Sequence, residues 1–360
     1  MNIGIPKERR SFEYRVGLAP AMVQILTRAG HSCFVEHDAG LGAGFSDKEY
    51  EQAGGKIVYS SHEVFGRADL LLKVSRPMME ELEWIQPGAT IAGLLHLASA
   101  RRDKIEKLFT NKISAIAYEQ IQLPDGTVVV RKPLSQIGGR LAAQIGGTLL
   151  QSDSGGKGIL LGGIAGVPPA EVAVIGAGVA GTCAAKSFLA AGAHVTVLDS
   201  DLTALQHIYE LNPHIVTMIA TQANIARTCS FADIVVGAAY RTQERAPILI
   251  TREMVRSMKP RSVIIDISVD EGGNVETSRP TTLERPYFLE EGVIHYCVPN
   301  IPSSVARTST YAFLNAAFPY IQEIANKGLV TAIADNPALE KAVNTLNGEP
   351  HHISGFAAAI

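Results

Sequence analysis

Residues 172–181 read VAVIGAGVAG, a composition and spacing suited to holding a dinucleotide. A run typical of a buried strand leads into Gly176, Gly178 and Gly181, and a helical segment follows. Gly176 suits a tight turn, Gly178 lets main-chain N–H groups approach a pyrophosphate, and Gly181 lets the helix lie close on the strand. The positive end of that helix then faces the phosphates. The next strand, HVTVLD, ends at Asp199, 21 residues after Gly178. A carboxylate there accepts both ribose hydroxyls and repels a 2′-phosphate. Ser200 and Asp201 follow in place of an arginine, so the pattern predicts NAD(H) rather than NADP(H).

Hydride chemistry on such a cofactor needs a carboxylate or carbonyl held beside the nicotinamide and an acid or base within reach. Arg15, at the end of IPKERRSFEYR, has the two-pronged guanidinium that suits a carboxylate. Lys73 sits in LLLKV, where a charge is costly without a partner. His96 follows the apolar stretch ATIAGLL, at the strand end where α/β sheets bind ligands. Asp270 lies in IIDISVDEGG just past another strand, and Asp266 competes with it for the same role. Each of these also has a purely structural explanation: ion pair, snorkelling side chain, satisfied imidazole or turn former.

Positioning these residues calls for an α/β chain, because short apolar runs alternate with helical segments along almost the whole length. Strands are expected at 2–5, 33–36, 70–74, 90–94 and 114–118, with helices at 20–28 and 101–110. Residues 135–151 read as a helical connector rich in small residues. Residues 152–169 hold six glycines and two prolines and read as a long functional loop. Further strands are expected at 172–175, 195–198, 215–220, 234–238, 263–267 and 294–298, enough for one doubly wound domain. A helix over 304–327 should kink or restart at Pro319, and a final helix over 337–346 should stop at Gly348.

Composition narrows the partners. At 360 residues the chain suits two domains. Its 32 Lys+Arg against 35 Asp+Glu leave no positive surplus for nucleic acid or acidic membranes. The 46 % hydrophobic and 19 % charged content argues against disorder. Residues 1–10 lack the apolar run of a secretory signal, and the uncharged stretches are short and broken by glycine, so a cytoplasmic protein is expected. Cys33, Cys183, Cys229 and Cys297 lie far apart without a CxxC pair, so no metal site or disulfide is expected.

Over nearly its full length the chain resembles the alanine dehydrogenase and transhydrogenase α-subunit family. The resemblance rests on IGIPKE with YRV, LLLKV, LHLA, AYE, GGRLAAQIG, GGKGILLGG, VIGAGVAG, MKPRSVIIDI, SRPTT and RTSTYA. It implies two Rossmann-like doubly wound domains: a substrate domain at 1–132 plus 305–360, and an NAD domain inserted at 133–304. It further implies that Arg15 and Lys73 bind the substrate carboxylate and that His96 and Asp270 are the acid/base pair. NAD contacts are implied for Ser135, Gly176, Gly178, Val179, Gly181, Asp199, Arg279, Val298, Asn300 and Ile301. The activity implied is reversible oxidative deamination of L-alanine to pyruvate and ammonia, in a homo-oligomer, a hexamer by the resemblance.

The chain departs from the family pattern around these groups. KVKEP becomes Lys73-Val74-Ser75-Arg76-Pro77, SEVAGR becomes residues 135–140 SQIGGR, AIDQGG becomes 268–273 SVDEGG, and PGAKAP becomes 241–247 RTQERAP. Ile301 stands for a methionine, and Ala204 for a lysine near the adenosine ribose. Two other readings follow from those changes. One is an amino-acid or opine/saccharopine-type dehydrogenase acting on a larger amine, with Arg76 and Arg241 serving a more anionic substrate. The other is a non-catalytic NAD-binding module, against which Lys73, His96 and Asp270 argue.

Overall fold

The computed structural model describes residues 1–97, 100–240 and 245–353. In chain order its strands are β1 Asn2–Ile5, β2 Ser32–Glu36, β3 Lys56–Val58, β4 Leu70–Ser75, β5 Thr90–Leu94, β6 Ser114–Ala117, β7 Glu171–Ile175, β8 His194–Asp199, β9 Val216–Ile219, β10 Ile234–Gly237, β11 Val263–Asp266, β12 Tyr287–Glu290, β13 Val293–Tyr296, β14 Val343–Leu346 and β15 Glu349–Pro350. The chain divides into two compact units, Met1–Leu134 with Ser303–Ile360, and Ser135–Pro302. Each is an α/β unit around one mostly parallel sheet. No helix among the described residues is long and apolar enough to cross a membrane.

The first unit has the order β15-β14-β6-β5-β4-β1-β2-β3, parallel from β6 to β3. Leu70, Leu72 and Val74 pack on one face, with Phe313, Leu314, Ala317 and Ile321 of the helix Ala306–Lys327. Leu71, Ile91 and Ala115 pack on the other. Burial on both faces explains why these strands read as continuous apolar runs instead of alternating ones. Pro319 lies inside the single helix Ala306–Lys327, with no restart there.

The tail corrects one expectation. Helix covers only Pro337–Glu340, and Val343–Leu346 is a strand antiparallel to β6 that folds back onto β15. Asn347 and Gly348 have φ of 51° and 83°, the backbone of a tight hairpin turn. Asn-Gly supplies that turn, and the pairing it directs overrides the helical reading.

The second unit has the order β12-β13-β11-β10-β7-β8-β9, parallel except for β12 on β13. In both sheets one strand has neighbours that lead the chain in opposite directions: β1 between β2 and β4, and β7 between β8 and β10. The crevice beyond the C-terminal ends of such strands is where open α/β sheets take ligands. The helix Arg131–Leu149 carries the chain from the first unit into the second.

Candidate active site

In the second unit the glycine turn is built as its spacing requires. Gly176 has φ of +109°, and a Cβ there would lie 2.7 Å from the Ala238 main chain. A Cβ on Gly181 would lie 1.8 Å from the Gly176 carbonyl oxygen, so only glycine lets the helix Val179–Ala190 start against β7. Gly178, the residue before that helix, is exposed, and a Cβ on it would meet nothing within 4 Å. Main-chain amides at an open helix start suit a pyrophosphate, so the cradle fits a dinucleotide. Asp199, at the end of β8, accepts the Ala177 N–H at 2.6 Å and the Asp201 N–H at 2.9 Å. A carboxylate has about four lone-pair sites, so these bonds fix its direction and still permit ribose hydroxyls to donate to it.

Past β11 the two competing acids part company. Asp266 is fully buried and accepts N–H bonds from Ser268, Asn274 and Val275 at 3.2, 2.9 and 3.3 Å. Burial pushes its carboxyl above the usual range, opposed by the Ser278 hydroxyl and these amides. It organises the loop. Asp270, in the 3-10 turn Val269–Glu271, is exposed, and its carboxylate accepts the Asn300 N–H at 2.8 Å. The structure thus brings Asp270 and Asn300 together.

Ser135 is half-buried in the helix Arg131–Leu149, and Val179 is exposed in the first turn of its helix. Val298 and Ile301 are buried. The Arg279 guanidinium lies 3.8 Å from the Phe288 ring centre and 3.5 Å from Glu290. Arg241 lies outside the described residues.

In the first unit the site is made of charges. Arg15 is 2 % exposed, and its Nε and Nη2 form a fork with both Glu13 oxygens at 2.7 and 2.6 Å. That fork engages two of a guanidinium's five N–H donors. Lys73 is 1 % exposed, with its Nζ 2.9 Å from Glu81 and 3.3 Å from Glu8. Burial works against its charge, but the two carboxylates overcome this and raise its pKa. Lys73 ties Glu8 and Glu81 to the end of β4.

That placement has a local cause. The β4–β5 register slips between Leu72 and Ser75, a bulge of the kind that re-aims a side chain. A Cβ on Gly93, the facing residue of β5, would lie 2.7 Å from the Lys73 carbonyl oxygen. Glu8 completes the edge by accepting the Val74 N–H at 2.7 Å and the Ser75 hydroxyl.

His96, just past β5, is 45 % exposed at its side chain, with φ of +44°. This left-handed backbone is uncommon outside glycine and is sustained only when its surroundings enforce it. Here the buried Glu119 enforces it by accepting the N–H groups of both Leu95 and His96. The Glu119 carboxylate also lies 4.0 Å from His96 Nδ1. Such an imidazole, open to solvent and backed by a carboxylate, suits proton transfer.

Glu8, Glu81, Glu119 and Asn274 escaped the sequence reading as individual site residues. Asn274 holds the loops after β10 together, donating to Ala239 O and Pro247 O at 3.0 Å each and accepting the Ala239 N–H at 2.9 Å. Glu119 stands in AYE and Glu8 ends IGIPKE, but the resemblance these stretches carry gives neither carboxylate a role.

Residues 4–138 match the model of the alanine dehydrogenase/PNT N-terminal domain, and residues 142–352 that of the C-terminal domain. Alanine dehydrogenase of Methanococcus maripaludis is 43 % identical over 351 residues, 97 % of this chain and 94 % of that protein. The alanine dehydrogenase of Bacillus subtilis is 43 % identical over 361 residues, 100 % of this chain and 94 % of that protein. A solved L-alanine dehydrogenase matches with a TM-score of 0.94 at 39 % identity, covering 98 % of this chain and 97 % of that one.

Proposed function

From the premise that the chain belongs to the alanine dehydrogenase/PNT family, we propose how its residues perform the reversible oxidative deamination of L-alanine. The enzyme is an NAD-dependent oxidoreductase acting on a CH–NH2 group. Bound NAD supplies the hydride acceptor, C4 of its nicotinamide. The turn at Gly176, Gly178, Val179 and Gly181 would hold the pyrophosphate, and Asp199 the adenosine ribose. Ser135, Arg279 and the segment of Val298, Asn300 and Ile301 complete the proposed cofactor contacts.

Arg15, aligned by Glu13, grips the substrate carboxylate. Loss of hydride from Cα leaves an iminium, to which water adds while His96 takes its proton. His96 then returns a proton to the departing amine, and the carbinolamine collapses to pyruvate and ammonia. Asp270, the other member of the proposed acid/base pair, holds negative charge near the cationic carbon. Lys73, held by Glu8 and Glu81 at the end of β4, is the second group proposed to bind the substrate carboxylate.

The observation that carries this reading is the solvent-open His96 held in a left-handed backbone by a buried carboxylate. We further propose a homo-oligomer, a hexamer by family resemblance. Exposed Leu160, Ile164 and Val167 in the glycine-rich loop support a further interface. A panel of L-amino acids followed by NADH formation, with 2-oxoacids plus ammonia in reverse, tests the reaction. L-alanine and pyruvate should lead it. Rejection of ammonia with acceptance of a larger amine would instead favour an opine-type enzyme.

A further inference from the structure

The edge of the first sheet carries a second group of charges that the proposed reaction leaves unused. Arg10 Nε donates to the Arg76 carbonyl at 3.1 Å, Arg76 Nη1 donates to the His96 carbonyl at 3.3 Å, and Lys104 Nζ donates to the Pro77 carbonyl at 2.8 Å. Three cations are thus drawn onto the main chain of Arg76, Pro77 and His96. Burial, followed by repulsion from Arg10, holds the Arg76 pKa below its ordinary value; burial, then Arg10 and Arg76, does the same for Lys104.

The carboxylates that face the group are shared with other partners. Glu119 faces Arg76 and accepts two main-chain amides; Glu81 and Asp103 face Lys104, Glu81 holding Lys73 and Asp103 pairing with Arg101. Cations held this close repel one another, and an arriving anion relieves that repulsion. The Ser75 hydroxyl is engaged by Glu8, so the positive charge of this strand end rests on Arg76.

We propose that Arg10, Arg76 and Lys104 form a binding site for a carboxylate or similar oxyanion beside His96. The inference rests on the reading of the first unit as the substrate side. Two sources of the anion are open: a second carboxylate on the amino-acid substrate, or a free inorganic anion.

The test compares wild type with Arg76→Glu and Arg76→Met, checking by thermal denaturation that both fold. One arm measures kcat/KM for L-aspartate and L-glutamate relative to L-alanine; the other titrates inorganic phosphate calorimetrically. A substrate source predicts turnover of an acidic amino acid, with the acidic-to-alanine ratio falling at least tenfold in both variants. A free-anion source predicts phosphate binding that weakens at least tenfold in both. The proposal is overturned if wild type neither turns over an acidic amino acid nor binds phosphate, or if neither quantity moves more than twofold in the folded variants. Should no amino acid be turned over at all, the dehydrogenase reading fails, and the phosphate titration alone then decides the site.

Discussion

The two sheet edges solve the problem of holding a ligand with different materials. Beyond β7 the groups proposed to meet a ligand are main-chain amides at a glycine turn, and the nearby carboxylate, Asp199, is fixed by two amides of its own. Beyond β4 and β5 the groups are side-chain charges packed against one another: Arg15 on Glu13, Lys73 on Glu8 and Glu81, and Glu119 beneath His96. A backbone cradle is contiguous and tolerates variation in the side chains around it. A charge cluster is assembled from distant positions, and removing one member strands the others in a low-dielectric interior.

The difference is open to attack through turnover first. Replacing His96 with alanine should lower kcat by roughly 10²–10⁴-fold, the range for a lost general acid/base. NAD affinity measured by titration should change less than about twofold, since the proposed cofactor contacts lie in the other unit. A loss of both would mean that the division of labour between the edges is wrong.

Stability gives the next largest effect. Lys73→Met leaves Glu8 and Glu81 buried without their cation and should destabilise the protein by about 3–5 kcal/mol in chemical denaturation. A change below 1 kcal/mol would show that the triad is more open to water than its burial implies. The smallest effect belongs to the backbone-built edge. Asp199→Ala removes hydrogen bonds to a charged group, worth about 1.5–3 kcal/mol, so NAD should bind roughly 10–100-fold more weakly. The preference for NAD over NADP should narrow as well; unaltered affinities for both would remove Asp199 from the cofactor site.

The same contrast explains what was legible in the sequence. VIGAGVAG and Asp199 announce themselves because a backbone cradle must be written in consecutive residues. His96 and Asp270, the proposed acid/base pair, stand out only as polar residues just past apolar strands. Glu119 was not, because its job is to accept the amides of residues more than twenty positions away. Lys73 is legible as a charge inside an apolar run, whereas its partners Glu8 and Glu81 lie on other elements, and the pairing irregularity between β4 and β5 is invisible in either strand alone. Among the elements, β14 and β15 were misread because Val343–Leu346 follows a short helix without a break in its apolar pattern. The following Asn347-Gly348 signalled the hairpin. The turn Glu291-Gly292, with φ of 51° and 75°, likewise marks the overlooked pairing of β12 with β13.

The account depends on hydride passing directly from the amino-bearing carbon to the dinucleotide. L-alanine carrying deuterium at Cα, incubated with NAD and the enzyme in ordinary water, measures this directly. The account predicts reduced cofactor with deuterium at C4 of the nicotinamide, formed in step with pyruvate. Reduced cofactor carrying only solvent hydrogen, or pyruvate formed without it, would contradict the account.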